Sequence, residues 1–514
     1  MTITPIESPL QLGACRLKNR LVALPIFTGY AYPDGRVSPL MQAHYARLAA
    51  SGVAMVVVAN AAVSPAGITS QCNLRIDHDD CLPGLRALAD CIREQNCLAC
   101  IQLNHAGRFA KTEQPLLASA MAPAHLTYHV SSLKGFMQAF PFEQRFGLTR
   151  FFLKQVAAWR RAMTAKETDE VVDQFAAAAA RAHAAGFDMV EIHGANGYLL
   201  CEFLSPATNK QASAFGGTFE ARAAFPLAVV RAVRDRLPRH VPLGYRLPLR
   251  EWVPGGIQLE EAIAFARLLA QAGIGYVSAA AGTFNSIFRP AIMQKMARPA
   301  YLREDVSQLT AQVPIPTVIS GRIATPALAN ELLRQKAANL IGLGRPLRVD
   351  EDWVRKCRSR LPAIKPCINC NACLQRVILD QGFVCRCWPK TTQLKIHLDC
   401  LLLRRNFEGV CVIADAGDPP LFSASLPRLL PRGRWLPAPA ALTLLFAGHA
   451  EGMRCRAADW MEFRAWVQAQ AAPKDQNLTA VAVVDKTIVG SWGKEIGAEI
   501  NRQNWGLVLI ARNP

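Results

Sequence analysis

The sequence predicts an α/β chain: a (β/α)8 barrel, then a cysteine-rich segment and a small α/β domain. Three observations predict it. Eight strand-like segments alternate with amphipathic helical stretches between residues 20 and 345. Polar residues and glycines gather where those strands end. Beyond five cysteines crowded between Cys367 and Cys387 the chain turns into a second, shorter set of strands and helices.

The strand candidates are Arg20–Ile26, Ala54–Ala59, Leu98–Leu103, Asp188–His193, Pro242–Leu247, Tyr276–Ala280, Pro316–Ser320 and Ala338–Gly342. Each is a short apolar run of the length a buried parallel strand needs. Between them, Leu40–Ser51, Leu82–Asn96, Glu170–Ala185, Phe219–Leu237, Leu259–Ala272 and Thr325–Gln335 carry helical periodicity. Thr164-x-x-Glu167 ahead of the third is a capping-box pattern. The longest insertion, about 109–160, holds Met, Phe, Tyr and Trp without periodicity and reads as a cover over the site or a surface excursion. Phe407–Asp415, Ala441–Phe446, Leu478–Val484 and Trp505–Ala511 read as strands of the last unit, with helices at Asp459–Gln470 and Gly493–Asn504. A Pro-rich stretch around Pro427–Pro439 lies within this unit. The expected division is 1–360 for the barrel, 361–392 for the cysteine segment and 400–514 for the small domain.

A chain of 514 residues, half of them apolar, can bury a sizeable core in more than one domain. No apolar run reaches the roughly 18–20 residues of a membrane span, and the N-terminus lacks the pattern of a signal peptide. A soluble, cytoplasmic protein is expected. Eleven scattered cysteines suit a reducing compartment. The net charge of +19 is diffuse, with no Lys/Arg run longer than two, which argues against nucleic acid as a partner.

The strand ends carry the chemistry. The fourth strand delivers His193, Asn196 and Tyr198 around two glycines. A strand that presents hydrogen-bonding groups at its C-terminal end is where a parallel barrel keeps its active site. The third ends Gln102-Leu-Asn-His105-Ala-Gly-Arg108, and the fifth ends at Arg246. The seventh and eighth end in Gly321-Arg322 and Gly344-Arg345. Glycines there let backbone N–H groups approach a phosphate, and each arginine adds charge.

These motifs resemble the Old Yellow Enzyme family of FMN-dependent NAD(P)H:flavin oxidoreductases, over about residues 5–390. The resemblance implies FMN as cofactor and NAD(P)H as co-substrate. His193 and Asn196 would hold a carbonyl or nitro oxygen, and Tyr198 would supply a proton. Pro25, Ile26 and Phe27 would abut the flavin. Gln102 would meet its pyrimidine edge, Arg246 would stand beside N1/O2, and Gly321, Arg322, Gly344 and Arg345 would take the phosphate. Phe27 stands where the family usually has Thr or Cys, Asn60 where it has Ala or Gly, and Asn339 where it has an acidic residue. The implied reaction reduces an activated C=C bond in an α,β-unsaturated carbonyl, nitro or thioester compound. Expected partners are that alkene and NADH or NADPH, without nucleic acid or membrane; a homo-oligomer is compatible with this.

Cys367, Cys370 and Cys373 follow C-x2-C-x2-C, and eleven residues intervene before Cys385. Close triple spacing with a distant fourth thiolate is the pattern of an iron–sulfur site, with zinc and plain thiols as alternatives. Cys385 and Cys387 compete for the fourth place. The segment resembles that of larger family members, dienoyl-CoA reductase and trimethylamine dehydrogenase, which carry a [4Fe–4S] cluster after the barrel. It opens an alternative function: a dehydrogenase or demethylase of the trimethylamine dehydrogenase type, passing electrons to an external acceptor. Here only about 125 residues follow, and no G-x-G-x-x-G opens them. An RNA-binding flavoprotein of the dihydrouridine synthase kind would need an Asn-x-Gly-Cys-Pro motif that is absent.

Overall fold

Eight parallel strands close on themselves in the order of the chain. They are β1 (Leu21–Ala23), β2 (Met55–Ala62), β3 (Leu98–Asn104), β4 (Met189–His193), β5 (Leu243–Pro248), β6 (Tyr276–Ala280), β7 (Thr317–Ile319) and β8 (Leu340–Leu343). β8 pairs with both β7 and β1, which shuts the barrel. The computed structural model describes residues 4–112, 115–120, 161–212, 214–284, 286–287, 289–358 and 364–389, short helical pieces between 392 and 403, and four later strands. The cover expected at 109–160 lies almost wholly outside the described residues. So do the two helices expected near the C-terminus and the Pro-rich stretch.

The chain divides into two compact units, Met1–Trp388 and Pro389–Pro514. The second contains β9 (Gly409–Ala414), β10 (Thr443–Ala447), β11 (Leu478–Asp485) and β12 (Gly506–Arg512). Their order is β10-β9-β11-β12, with β10 antiparallel and the rest parallel.

All eight barrel strands fall where the apolar runs predict them, with shifted ends. β1 stops before Pro25, which has no N–H for the ladder. β2 runs on to Ala62 through an irregularity between Val58 and Ala61. The third predicted helix starts at Ala165, not Glu170. Thr164 and Glu167 form the reciprocal cap, and the polar first turn hides the start from a search for apolar periodicity.

The interior is layered. Met55, Met189, Tyr276 and Leu340 open the four even-numbered strands and share one apolar cluster. Four side chains from alternate strands make one layer of such a barrel. The hairpin Leu10–Leu12/Cys15–Leu17, unpredicted from the sequence, adds Leu12 and Leu17 to this cluster. Along β4 the same face then carries Glu191 and His193, because side chains alternate with period two. Glu191 is thus the step between an apolar floor and a polar rim.

Tyr276 on β6 reaches Glu191 on β4 across the intervening β5, donating its hydroxyl to Oε2 at 3.0 Å. Gly244 makes this passage possible: a Cβ there would fall on the Tyr276 ring. Gly244→Ala is therefore expected to cost about 1–3 kcal/mol of stability, as overpacking does. Urea unfolding beside the parent chain measures it.

Candidate active site

His193 is the last residue of β4 and lies level with Arg246 on β5. Its Nδ1 accepts a hydrogen bond from the Ala195 N–H at 3.4 Å, so the neutral ring carries its proton on Nε2. Burial, reinforced by the Arg246 guanidinium, holds its pKa well below the usual histidine range. The ring is a neutral N–H donor, not an imidazolium.

The chain then turns sharply. Asn196 has φ 61° and Gly197 φ 84°, two consecutive left-handed residues. Asn tolerates this region better than most side chains, and Gly adopts it freely. The Asn196 backbone bridges to Thr283 in the loop after β6. The turn returns Tyr198 to His193, ring centroids 5.0 Å apart and nearly perpendicular. Phe109 and Phe284 flank the Tyr198 ring at 6.2 and 6.0 Å. Burial among these rings raises the phenol pKa, which keeps it a proton donor at neutral pH. The helix Leu199–Leu204 follows at once. Its Leu199 N–H bonds the His105 carbonyl at 3.1 Å, and Glu202 accepts from the Arg108 N–H at 2.6 Å. The loops after β3 and β4 are thereby tied together.

Gln102 on β3 donates Nε2 to Glu191 Oε1 at 2.7 Å. That bond fixes the amide orientation: the nitrogen points at Glu191, and the carbonyl oxygen is directed elsewhere. Both Glu191 oxygens accept hydrogen bonds, from Gln102 and Tyr276, as an ionised carboxylate does. Burial raises the Glu191 pKa; Arg246, Gln102 and Tyr276 pull against it. Arg246 donates Nη1 to Ser278 Oγ at 2.9 Å, and burial lowers its own pKa, opposed by Glu191.

The two Gly-Arg pairs follow β7 and β8, which are neighbours in the sheet. Gly321 has φ +107°, and a Cβ there would come within 2.9 Å of the Tyr301 ring. Gly344 precedes the short helix Arg345–Val349, and a Cβ on it would press Ile26 at 3.3 Å. Pro25, Ile26 and Phe27, all half-buried, thus run beside the eighth strand's loop. Arg322 donates to the Ala297 carbonyl and Arg345 to Asn371 Oδ1. Asn60 sits in the β2 irregularity, buried, with Oδ1 lacking any hydrogen-bond partner. Asn339 accepts from the Thr317 N–H at 2.9 Å and so serves the β7–β8 frame.

Tyr301 was not foreseen in the sequence. It lies against Gly321, and burial raises its pKa, with Arg345 and Arg246 opposing. No motif surrounds it; only the fold reveals its place. Glu191 lies within an apolar strand run, and a carboxylate inside such a run is itself a sequence signal.

The cysteine segment packs on loops of the same rim. Phe383 N–H bonds the Thr28 carbonyl at 2.7 Å, and the Tyr30 hydroxyl bonds the Phe383 carbonyl. Asp380 pairs with Lys111 and accepts from Ser70, each at 2.5 Å. The Trp388 indole donates to the Arg348 carbonyl at 2.5 Å. Cys385 is buried, and Cys367, Cys370, Cys373 and Cys387 are half-buried. Burial pushes the Cys373 thiol up to about 11, with Cys367 and Cys370 adding to it and Arg345 opposing. Cys385 is pushed up to about 12 by burial and interacts with both Cys387 and Cys373. Cys373 is thus within electrostatic reach of Cys367, Cys370 and Cys385, and Cys385 of Cys387. None of the described cysteines is in a disulfide.

The profile of the NADH:flavin oxidoreductase / NADH oxidase family matches residues 5–363. The chain belongs to this family. It is 30% identical over 366 residues to an NADH oxidase of Thermoanaerobacter brockii, covering 70% of this chain and 52% of that protein. It is 33% identical over 385 residues to a metal reductase of Desulforamulus reducens, covering 74% and 52%. The chain thus spans about half the length of these relatives. Among solved structures, a 2-naphthoyl-CoA reductase complex superposes with a TM-score of 0.67 at 19% identity, covering 98% of this chain and 70% of that one. This likeness concerns the fold. Among the described residues, no helix is long and apolar enough to cross a membrane.

One consequence for stability follows from His105 in the β3 loop. It is buried, accepts from the Gly107 N–H through Nδ1, and has a pKa lowered by burial to about 3. The unfolded chain takes up a proton there below pH about 6.5, but the folded chain only near 3. Its contribution is complete above the first value and is lost on acidification between the two. The melting temperature is expected to fall as pH drops through this window, less steeply in His105→Gln. Calorimetry across the window tests the difference.

Proposed function

We propose that this family member is an FMN-dependent NAD(P)H oxidoreductase that reduces an activated C=C bond in an α,β-unsaturated carbonyl, nitro or thioester compound. The observation that carries the reading is one rim bearing a neutral imidazole donor, a protonated phenol 5.0 Å from it and a half-buried guanidinium level with the imidazole.

The residues fit FMN. Asn60 Oδ1 is a buried acceptor without a partner, as an N–H of the isoalloxazine edge requires. Pro25, Ile26, Phe27 and Gln102 are the groups that would line the ring, and Arg246 its N1/O2 edge. Gly321, Arg322, Gly344 and Arg345 would hold the phosphate. Bound FMN supplies hydride chemistry between NAD(P)H and the alkene. His193, donating from Nε2, and Asn196, donating from its amide, would hold the substrate oxygen and draw electron density from the alkene. Tyr198 would give its proton to Cα. Phe109 and Phe284 keep water from the phenol.

Cys367, Cys370, Cys373 and Cys385 would hold a [4Fe–4S] cluster, with Cys387 as the competing fourth ligand. Two features support this over a single zinc. No three of these sulfurs lie within 4.8 Å of one another; one tetrahedral zinc needs them about 3.8 Å apart. The buried polar atoms without partners near this segment include N–H donors, Arg348 Nε and Nη2 and Gln375 Nε2. Such donors suit an anionic thiolate–sulfide cluster. The packing of the segment on the rim loops favours a second reading, a dehydrogenase or demethylase passing electrons onward through the cluster. Unpaired thiols suit a reducing, cytoplasmic setting.

Tyr198→Phe is expected to slow alkene reduction by roughly 10²- to 10⁴-fold and leave reduction of the flavin by NAD(P)H near the parent rate. Stopped-flow measurement of both half-reactions tests it, and equal slowing of the two would remove Tyr198 as proton donor. Anaerobically purified protein is expected to show a flavin spectrum and about four iron atoms per chain. Iron should be lost in Cys373→Ser with the flavin retained. A colourless protein that rejects FMN would end the proposal.

A further inference from the structure

Outside the rim and the cysteine segment, three metal-binding side chains converge at the start of the helix Leu82–Arg93. Among the described residues, Asp77, His78 and Cys81 are the only His, Cys, Asp or Glu residues that bring three potential ligand atoms within 4.8 Å of one another. We propose that they hold a divalent metal ion of the zinc class. The site uses none of the residues assigned to flavin, substrate or iron.

Local backbone brings the ligands together. Asp79–Cys81 is a 3₁₀ turn, and the Cys81 N–H bonds the His78 carbonyl at 3.3 Å. In that geometry residues three apart eclipse, so the imidazole stands over the thiol. Cys81 Sγ lies 3.3 Å from His78 Nε2, and Nε2 lies 3.9 Å from Asp77 Oδ1. Tetrahedral zinc, with bonds of 2.3 Å to sulfur and 2.0–2.2 Å to nitrogen and oxygen, sets these separations at about 3.6 and 3.4 Å. Sγ also lies 3.7 Å from Nδ1, so the thiol faces the ring, and a rotation of the imidazole that aims its Nε2 lone pair between Sγ and Oδ1 would seat the ion.

The surroundings match. Arg75 grips Asp77 through both oxygens, Nε to Oδ1 at 3.0 Å and Nη2 to Oδ2 at 2.5 Å. This holds the carboxylate still and leaves Oδ1 a second lone pair. On the other side of the imidazole, Asp80 Oδ2 is 3.9 Å from Nδ1, close enough to become the carboxylate partner that metal-bound histidines use. Arg181 pairs with Asp79 at 2.7 Å, which draws that carboxylate into another contact. A thiolate, Asp77 and Asp80 together balance the ion plus Arg75. The His78 side chain is 37% exposed while Asp77 is 7% and Cys81 2%, so the set is anchored inside and open outward, where water can take the fourth position. A thiol, an imidazole and one carboxylate select zinc over calcium or magnesium, which prefer oxygen alone.

The test uses the full chain as purified, with whatever cofactors it carries, dialysed against zinc and then against metal-free buffer. The parent is expected to retain one more zinc per chain than Cys81→Ser or His78→Ala, with iron unchanged in all three. Cobalt(II) should give a thiolate charge-transfer band in the parent that Cys81→Ser lacks. Zinc affinity in His78→Ala should fall at least tenfold. Because His78 is partly exposed, that variant keeps the test decisive if Cys81→Ser fails to fold. Equal zinc retention in the parent and His78→Ala would overturn the site.

Discussion

A carboxylate shut away from water, Glu191, is the constraint around which the barrel interior is arranged. An unpaired charge at that depth would cost several kcal/mol, so every neighbour bears on it. Gln102 and Tyr276 each give one hydrogen bond, and Arg246 gives the opposite charge. Those bonds have consequences in both directions. Below, Tyr276 belongs to the apolar layer, so the polar network is bolted to the hydrophobic floor. Above, Arg246 lies level with His193 and helps to keep that ring neutral. Glycine at position 244 is part of the same device, because any side chain there would block the tyrosine.

The rim is built from loops that hold one another. His105 binds Leu199, Arg108 binds Glu202, Asn196 bridges Thr283, and Phe383 binds Thr28. Loops that carry chemistry are mobile by default. Cross-ties of this kind keep an imidazole and a phenol in register without the closed sheet reaching that far. The left-handed pair Asn196-Gly197 has a double use: it turns the chain, and it presents Asn196 between the two rings' positions in sequence.

The barrel and the cysteine segment form one compact unit, Met1–Trp388, and the hydrogen bonds explain it. Segment residues Asn371, Asp380, Phe383 and Trp388 bond partners that follow β1, β2, β3 and β8. Arg345 links the loop after β8 to this segment through Asn371.

The sequence by itself determined the barrel and showed polar candidates at its strand ends. Apolar runs of strand length and amphipathic helices are local patterns, and burial on both faces forces them whatever the tertiary detail. His193, Asn196, Tyr198, Gln102 and Arg246 were legible because each stands at the end of such a run. Element ends were less so: the helix at Ala165 begins in a polar turn, and the irregularity at Asn60 depends on the register of β2 against β3. Only the tertiary structure decided that Gln102 is held by Glu191, that Tyr301 lies against Gly321, and that Asp77, His78 and Cys81 converge. The physical reason is that hydrogen-bond orientation, charge balance and side-chain approach across strands depend on distances in space, which spacing along the chain does not encode.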